Sequence, residues 1–392
     1  MSATRLAAGH FLLERRRRAA RRKGPFKRLI AIATQCFGPD LGGIETSMTA
    51  LADALAAAGE RVAVFADRPR SREAFARPYE IRRFGQVRPL RGWMKRRAIA
   101  QAADLAPITG VFADSWKSMA AIPPGPAPIA VFAHGAELPP DASPRRARRV
   151  ASAFSRAQAV IANSAYTAGL ARNFLSAASP PVLVVPPPII APAEPTAEAL
   201  AEIDGLIAGR GPVLVTVARL EPRKGIDAVL RALPAVRREF PQAVYFVAGA
   251  GPDLGRLQAL AASLRIEEAT RFLGRIDEAR KSALLTRADL FAMPARREGN
   301  SVEGYGLAYV EAAWRGKPSL AGRTGGAADA VIDDETGLLC NGEDDAEVTA
   351  ALIRLLGDEP LRDRLGAAAQ SRAQKELIWP VALPQYLAAL RR

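Results

Sequence analysis

The chain has 392 residues, 49% of them hydrophobic, and its 55 basic and 40 acidic side chains give a net charge of +15. This length exceeds one ordinary core and predicts two globular domains. The two cysteines, Cys36 and Cys340, are far apart and lack metal-ligand spacing, so neither a disulfide framework nor a zinc site is indicated. With no apolar run of membrane-spanning length and no signal peptide, the sequence predicts a cytoplasmic protein.

The positive charge lies in the first half of the chain. Residues 1–190 hold 29 Lys and Arg against 12 Asp and Glu, whereas residues 191–392 hold 26 against 28. Residues 1–27 are expected to form a basic, disordered arm. This charge makes an anionic membrane a candidate partner and the inner face of the cytoplasmic membrane a candidate location. Nucleic acid is not expected, because no zinc-finger or RNA-binding signature is present.

From residue 28 onwards, short apolar runs alternate with helical stretches, a pattern typical of a parallel sheet covered on both faces. The pattern occurs twice and is interrupted by a proline-rich linker at 186–195. The strands predicted before the linker are 29–34, 62–67, 81–84, 110–113, 129–133, 159–162 and 182–185. The strands predicted after it are 213–218, 244–248, 271–273, 290–293, 318–321 and 338–340. Two doubly wound sheets imply a cleft between them, and the loops that follow the strands should line it.

The loop after the strand at 213–218 reads RLEPRKG, from Arg219 to Gly225, and is followed by a helix. It places Arg219 and Lys224 close to a helix N-terminus, where two cations and the helix dipole suit a diphosphate. The alternative is a solvated basic turn.

A second loop, at 294–306, carries glycines and two spaced carboxylates. Gly304 and Gly306 let the backbone run close to a ligand, and a helix predicted to start near Gly306 offers free N–H groups to a phosphate. Glu303 precedes this helix and Glu311 lies in its second turn. Such carboxylates can accept hydrogen bonds from the paired hydroxyls of sugars. Without the glycines, a helix-start glutamate and a surface glutamate would be the better interpretation.

His134 is one of only two histidines, and it directly follows an apolar strand at the predicted cleft. A lone histidine is more often structural, but this position favours a functional role. No metal site is predicted, because the chain has no Asp-x-Asp motif and its acidic pairs lie at predicted turns or helix starts.

The sequence resembles the family-4 glycosyltransferases of the GT-B fold. The signature of their donor domain is a Glu, seven residues and a second Glu, and Glu303 and Glu311 stand at that spacing. Further matching segments extend over most of the chain beyond the arm, at 42–45, 133–137, 219–225, 247–252, 325–326 and 336–339.

The resemblance implies roles for individual residues. Arg219 and Lys224 would bind the donor diphosphate and neutralise the leaving group. Glu303 would contact hydroxyls of the transferred sugar, Glu311 would hold the ribose, and His134 would lie at the reacting centre. The other residues implied in donor binding are Gly42, Gly43, Gly249, Gly251, Gly304, Tyr305, Gly306 and Leu307. The family generally retains anomeric configuration without a bound metal, and no cofactor is expected besides the nucleotide-diphosphate sugar as co-substrate.

The expected fold is therefore α/β of GT-B type, with two Rossmann-like doubly wound parallel-sheet domains facing a cleft. The expected divisions are the arm at 1–27, an acceptor domain at 28–190, a linker and connecting helix at 191–210, a donor domain at 211–376, and a C-terminal helix at 377–392 that packs back on the first domain.

The expected function is that of a retaining hexosyltransferase that transfers a hexose from a nucleotide-diphosphate sugar to a glycan or lipid-linked acceptor in cell-envelope or exopolysaccharide biosynthesis. A sugar-nucleotide epimerase on the same two-domain plan is the alternative enzyme. A binding protein with a degenerate cleft is the alternative outside catalysis.

Overall fold

A computed structural model describes residues 29–391 except 41, 72, 86, 177 and 178. The predicted basic arm at 1–27 lies outside the described residues. The described part contains two all-parallel sheets, each with a hydrophobic cluster on both faces.

The first sheet has seven strands in the order β3-β2-β1-β4-β5-β6-β7. Its strands are β1 (Leu29–Thr34), β2 (Arg61–Asp67), β3 (Glu80–Phe84), β4 (Ile108–Ala113), β5 (Ile129–Ala133), β6 (Ala159–Ala162) and β7 (Val182–Val184). The helices between them are α1 (Gly43–Ala57), α2 (Arg88–Leu105), α3 (Pro144–Phe154) and α4 (Ala165–Arg172). The strand order reverses between β1 and β4, and a crevice opens beyond the carboxyl ends of strands at such a point.

The second sheet has six strands in the order β10-β9-β8-β11-β12-β13 and reverses between β8 and β11. Its strands are β8 (Val213–Val217), β9 (Val244–Ala248), β10 (Thr270–Gly274), β11 (Leu290–Met293), β12 (Ser319–Gly322) and β13 (Gly337–Cys340). The remaining helices are α5 (Ala197–Ile207), α6 (Ile226–Glu239), α7 (Leu254–Ser263), α8 (Glu278–Arg287), α9 (Leu307–Trp314), α10 (Ala327–Ala330), α11 (Asp345–Gly357), α12 (Glu359–Lys375) and α13 (Trp379–Ala388).

Burial on both faces explains why the strands are continuous apolar runs. All six residues of β1 are buried, and its five apolar residues alternate between the clusters on the two faces of the sheet. Leu29 packs with the cluster that contains residues of α2 and α3, whereas Ile30 packs with the cluster that contains residues of α1. A strand with one face in water would need polar residues at every second position.

Helix α13 packs on the first domain although it follows the second in sequence. Trp379, Leu383 and Tyr386 are buried in the same cluster as Ile30 and Phe132 of the first sheet. The chain therefore passes between the domains twice. The two passages run side by side, and the backbone N–H of Ile189 donates to the carbonyl oxygen of Leu377 at 2.9 Å.

The predicted α/β class with two doubly wound parallel sheets is confirmed. Each predicted strand begins and ends within two residues of an observed strand. None of the helices in the described part of the chain combines the length and the apolarity needed to cross a bilayer.

Candidate active site

A cleft of about 870 Å³ lies between the two domains, lined by loops that follow strands of both sheets. Eleven of the thirteen residues predicted to form the site line this cleft. They are His134, Arg219, Lys224, Glu303, Gly42, Gly43, Gly249, Gly304, Tyr305, Gly306 and Leu307. The other two, Gly251 and Glu311, do not line it.

The loops after β8 and β11 are held together by close backbone packing. Gly225 has φ +71°, and a Cβ there would overlap the carbonyl oxygen of Pro294. The backbone N–H of Arg296 donates to the carbonyl oxygen of Arg223 at 2.9 Å. The basic loop and the loop that carries Glu303 thus form one unit at the reversal point of the sheet.

Glu303 is 8% exposed and lies between two cations. Its Oε2 accepts hydrogen bonds from Nη1 of Arg223 at 2.9 Å and from Nζ of Lys224. Burial alone would raise the pKa of Glu303, but Lys224 and Arg223 outweigh it and lower the pKa to about 2. The carboxylate is therefore ionised at neutral pH and fixed beside the basic loop.

Arg223 is a cleft residue that the sequence analysis did not single out. Its side chain is 18% exposed, whereas that of Arg219 is 70% exposed and pairs with Glu221 at 2.9 Å. Arg223 directly precedes Lys224 in the sequence, and this position in the basic loop could have identified it as a candidate site residue. The structure puts both Arg223 and Lys224 closer to Glu303 than Arg219.

Helix α9 begins at the floor of the cleft. Gly306 precedes it with φ +96°, and a Cβ there would overlap the ring of Tyr309. Leu307 and Ala308, the first two helical residues, line the cleft. Because the first N–H groups of a helix lack intrahelical acceptors and carry partial positive charge, this end can hold a phosphate.

Glu311 reaches the cleft only through a lysine. Its Oε1 accepts from Nζ of Lys281 at 2.8 Å, and Lys281 lines the cleft. Burial tends to lower the pKa of Lys281, but Glu311 and Glu278 raise it above its ordinary value. Lys281 is therefore charged, and it was missed because it lies on α8, away from any recognised motif. The contact of Glu311 with a ribose stays a prediction.

The glycines after β9 are explained in part by packing. A Cβ at Gly251 would overlap the carbonyl oxygen of Leu220, and a Cβ at Gly249 would overlap that of Ala218. Both glycines allow the loop after β9 to lie against the loop after β8. Only Gly249 also lines the cleft.

On the first domain, His134 follows β5 and its imidazole is held on two sides. Its Nε2 lies 2.9 Å from the carbonyl oxygen of Asp114, and its ring stacks on Phe132 at 6.0 Å between centroids. Since a carbonyl oxygen can only accept, the neutral form of the imidazole carries its proton on Nε2 and has Nδ1 as an acceptor. A fixed acceptor of this kind suits a substrate hydroxyl.

Cys36 also lines the cleft, beside Glu45. Burial, followed by the charges of Glu45 and Asp114, raises the pKa of its thiol to about 12. A thiol that stays protonated at neutral pH is a poor nucleophile, so covalent catalysis by Cys36 is not indicated.

The domains touch along one edge of the cleft. A Cβ at Gly304 would overlap the carbonyl oxygen of His134, so these two backbones are in contact. Nearby, the N–H of Ala165 at the start of α4 donates to Oδ1 of Asp329 at 2.9 Å. Residues of the two domains therefore face a single space.

The cleft is positively charged. Six cationic side chains line it against two carboxylates, Glu45 and Glu303. The cations are Arg70, Arg219, Arg223, Lys224, Arg275 and Lys281. An anionic ligand is therefore favoured.

Solved structures share this architecture. A sucrose-phosphate synthase from Thermosynechococcus elongatus is 22% identical, with a TM-score of 0.77 over 92% of this chain and 98% of that chain. The Anabaena protein HepE in complex with UDP and glucose is 20% identical, with a TM-score of 0.73 over 93% of this chain and 99% of that chain. The two facing sheets and the cleft between them define a GT-B fold.

Two family models match successive parts of the sequence. The model "Glycosyltransferase Family 4" matches residues 41–191, and the model "Glycosyl transferases group 1" matches residues 202–372. The chain belongs to the family-4 glycosyltransferases, as the resemblance in the sequence predicted.

A curated relative is the GDP-mannose-dependent alpha-(1-6)-phosphatidylinositol monomannoside mannosyltransferase of Mycolicibacterium smegmatis. It is 39% identical over 173 residues, which are 44% of this chain and 45% of the relative. The alignment thus spans a little under half of the length of that relative.

Proposed function

We propose that the protein is a hexosyltransferase that transfers a sugar from a nucleotide-diphosphate donor to a glycan or lipid-linked acceptor, with retention of configuration. The observation that carries this proposal is the carboxylate of Glu303, held between Arg223 and Lys224 in a cationic cleft between two domains. Cations suit a diphosphate, and an ionised carboxylate suits sugar hydroxyls.

Donor binding would rearrange this charge cluster. The diphosphate oxygens would share Arg223 and Lys224 with Glu303 and take hydrogen bonds from the first N–H groups of α9. The exposed Arg219 would close over the diphosphate from the solvent side. Once the cations are shared, Glu303 has lone pairs available for hydroxyls of the sugar.

In the transfer step, the bond between the anomeric carbon and the terminal phosphate oxygen breaks. The negative charge that develops on the nucleoside diphosphate is stabilised by Lys224, Arg223 and the start of α9, which are already in place. The acceptor oxygen bonds to the anomeric carbon on the face that the diphosphate leaves. Its proton passes to the departing phosphate oxygen. Nδ1 of His134 would accept from a hydroxyl of the sugar and orient it.

The M. smegmatis relative is named for GDP-mannose and for a phosphatidylinositol mannoside. We infer GDP-mannose as the first donor to test, with UDP-glucose second because the HepE structure contains UDP and glucose. A lipid-linked acceptor agrees with a role in cell-envelope or exopolysaccharide biosynthesis at the inner face of the cytoplasmic membrane.

The test is an assay of nucleoside-diphosphate release from labelled GDP-mannose and UDP-glucose. Lys224→Ala and Glu303→Ala should each lower turnover by about 10-fold or more. Arg238→Ala, on an exposed position of α6 with no acidic partner in the described part of the chain, is the matched control and should leave turnover unchanged. Full activity in both cleft variants, or conversion of the donor sugar without release of the diphosphate, would refute the proposal.

A further inference from the structure

A second cavity of about 710 Å³ lies on the first domain, and its lining shares no residue with the cleft. We call it the α2 cavity, because α2 supplies Arg91, Trp93, Lys95 and Arg96 to its wall. Two of its other residues follow the strands at the reversal point of the first sheet. Gln35 comes directly after β1, and Lys117 comes after β4. This is where doubly wound sheets bind ligands.

Two of the cations in the wall, Arg91 and Lys95, share one carboxylate of the protein. Nζ of Lys95 lies 2.7 Å from Oδ1 of Asp67, and Nη2 of Arg91 lies 3.3 Å from its Oδ2. Lys95 also donates to the carbonyl oxygen of Thr34 at 2.7 Å and is 3% exposed. These side chains form part of the wall of the cavity, and the charge of Asp67 is balanced by Lys95 and Arg91.

The other three cations are not neutralised. Arg96, Lys117 and Arg149 pair with no acidic side chain within the described part of the chain. Lys117 and Arg149 approach the ring of Trp116, at 5.9 and 5.4 Å from its centroid, so the indole helps to hold both over the cavity. Three uncompensated positive charges around one cavity favour an anion.

A buried hydroxyl gives independent evidence for a ligand. Ser118 lines the α2 cavity and is 2% exposed, and its Oγ has no hydrogen-bond partner among the residues that the structure describes. Buried polar atoms are nearly always hydrogen-bonded, so such an atom needs an explanation. A ligand oxygen that accepts from Ser118 would supply the missing bond.

Exposed apolar side chains stand at the start of α2, the helix that supplies part of the cavity wall. Val87, Leu90 and Trp93 are 73%, 46% and 56% exposed, and their spacing of three residues puts them on one side of the first turns of α2. Trp93 also belongs to the cavity wall. Exposed apolar and indole groups beside arginines are typical of surfaces that enter the headgroup region of a bilayer.

We propose that the α2 cavity binds a phosphate ester carried by the acceptor, and that the exposed side of α2 receives the lipid to which this phosphate is attached. The proposal rests on the proposed transfer reaction, because it names the class of acceptor. Arg96, Lys117 and Arg149 would bind the phosphate oxygens, with Ser118 as a further donor.

The cavity and the cleft adjoin at the end of β1. Gln35 lines the cavity, and the next residue, Cys36, lines the cleft. Oδ2 of Asp114 accepts from the backbone N–H groups of both, at 2.7 and 3.3 Å, and the carbonyl oxygen of Asp114 binds His134. A phosphate in the cavity would therefore place the adjoining part of the acceptor beside His134 in the cleft.

The first experiment measures co-sedimentation of the full chain with vesicles of phosphatidylcholine alone or mixed with phosphatidylglycerol. The double variant Lys117→Glu with Arg149→Glu should bind the anionic vesicles at least about 10-fold more weakly than the parent chain does. Arg238→Glu with Lys375→Glu makes the same change of net charge on exposed positions of the second domain and should bind as the parent chain does. Equal loss in both double variants would overturn the proposal.

The second experiment separates the phosphate from the lipid. Glycerol 3-phosphate should raise the thermal unfolding temperature of the parent chain and of Trp93→Ser, but not that of the Lys117→Glu, Arg149→Glu variant. Trp93→Ser should weaken vesicle binding. Stabilisation by glycerol 3-phosphate with no vesicle binding would support the cavity with a soluble phosphate ester as its ligand. If the parent chain neither binds vesicles nor is stabilised by glycerol 3-phosphate, the proposed phosphate site is overturned.

The donor provides the distinguishing control. GDP-mannose or UDP-glucose should stabilise the Lys117→Glu, Arg149→Glu variant as much as the parent chain, because the donor residues lie in the cleft. If neither donor stabilises the parent chain while vesicle binding still depends on Lys117 and Arg149, the transfer proposal fails and the phosphate site stands. If donors stabilise both proteins, and both vesicle binding and the effect of glycerol 3-phosphate are the same in both, the phosphate site fails and the transfer proposal stands.

Discussion

Replacing Glu303 by glutamine keeps its shape and removes its charge, which leaves Arg223 and Lys224 without the negative charge that they share. Burial opposes ionisation of Glu303, but the two cations lower its pKa from 4.5 to about 2. Each pKa unit corresponds to about 1.4 kcal/mol, so the ionised carboxylate contributes about 3 kcal/mol to the free energy of unfolding near pH 7. Glu303→Gln should lose this contribution and lower the unfolding temperature of the second domain by roughly 6–12 °C.

The sign of the pH dependence follows from the lowered pKa. The stabilisation is complete above pH 4.5 and disappears as the pH falls towards 2, because Glu303 then becomes protonated in the folded protein as well. Near pH 3 the difference between the parent chain and Glu303→Gln should shrink to about 1.4 kcal/mol. Thermal and urea unfolding at both pH values measure this difference in the free energy of unfolding. Glu298→Gln, an exposed carboxylate of the same loop, should change stability by less than about 0.5 kcal/mol. A difference that is absent near pH 7, or equal at both pH values, would refute the charge assignment.

Two further predictions concern Lys281, which donates a hydrogen bond to Glu311, and helix α13. Lys281→Met should raise the donor KM by about 10-fold, as expected for the loss of a charge-assisted hydrogen bond, in steady-state assays; an unchanged KM would remove Lys281 from the donor site. Trp379→Ala should destabilise the first domain by about 3–5 kcal/mol, because the indole is buried against Tyr386 in that core. Limited proteolysis that detects no weakening of the first domain would contradict this packing.

The strands were predictable because burial on both faces leaves a strong local signal. Runs such as 129–133 and 290–293 are apolar throughout and have the same bounds in the structure. Their order within each sheet was not predictable from local patterns. The contact between Glu303 and Lys224 joins residues 79 positions apart, and it exists because β8 and β11 are neighbours in the sheet.

The same physical reason explains what the sequence analysis missed. The α2 cavity combines Arg96 of α2, Lys117 after β4 and Arg149 of α3, and only the folded sheet brings these three segments together. Helix α2 was not among the predicted elements. Within the basic loop, the resemblance identified Arg219, but burial and the contact with Glu303 distinguish Arg223.

The packing of α13 on the first sheet has a consequence for synthesis of the chain. The apolar surface that receives Trp379, Leu383 and Tyr386 belongs to strands made from residues 30 to 161. That surface stays uncovered on the ribosome while the whole second domain is being translated and folds. The first domain to be made is thus the last to be completed, and a nascent chain stopped before residue 379 would expose a hydrophobic face prone to aggregation.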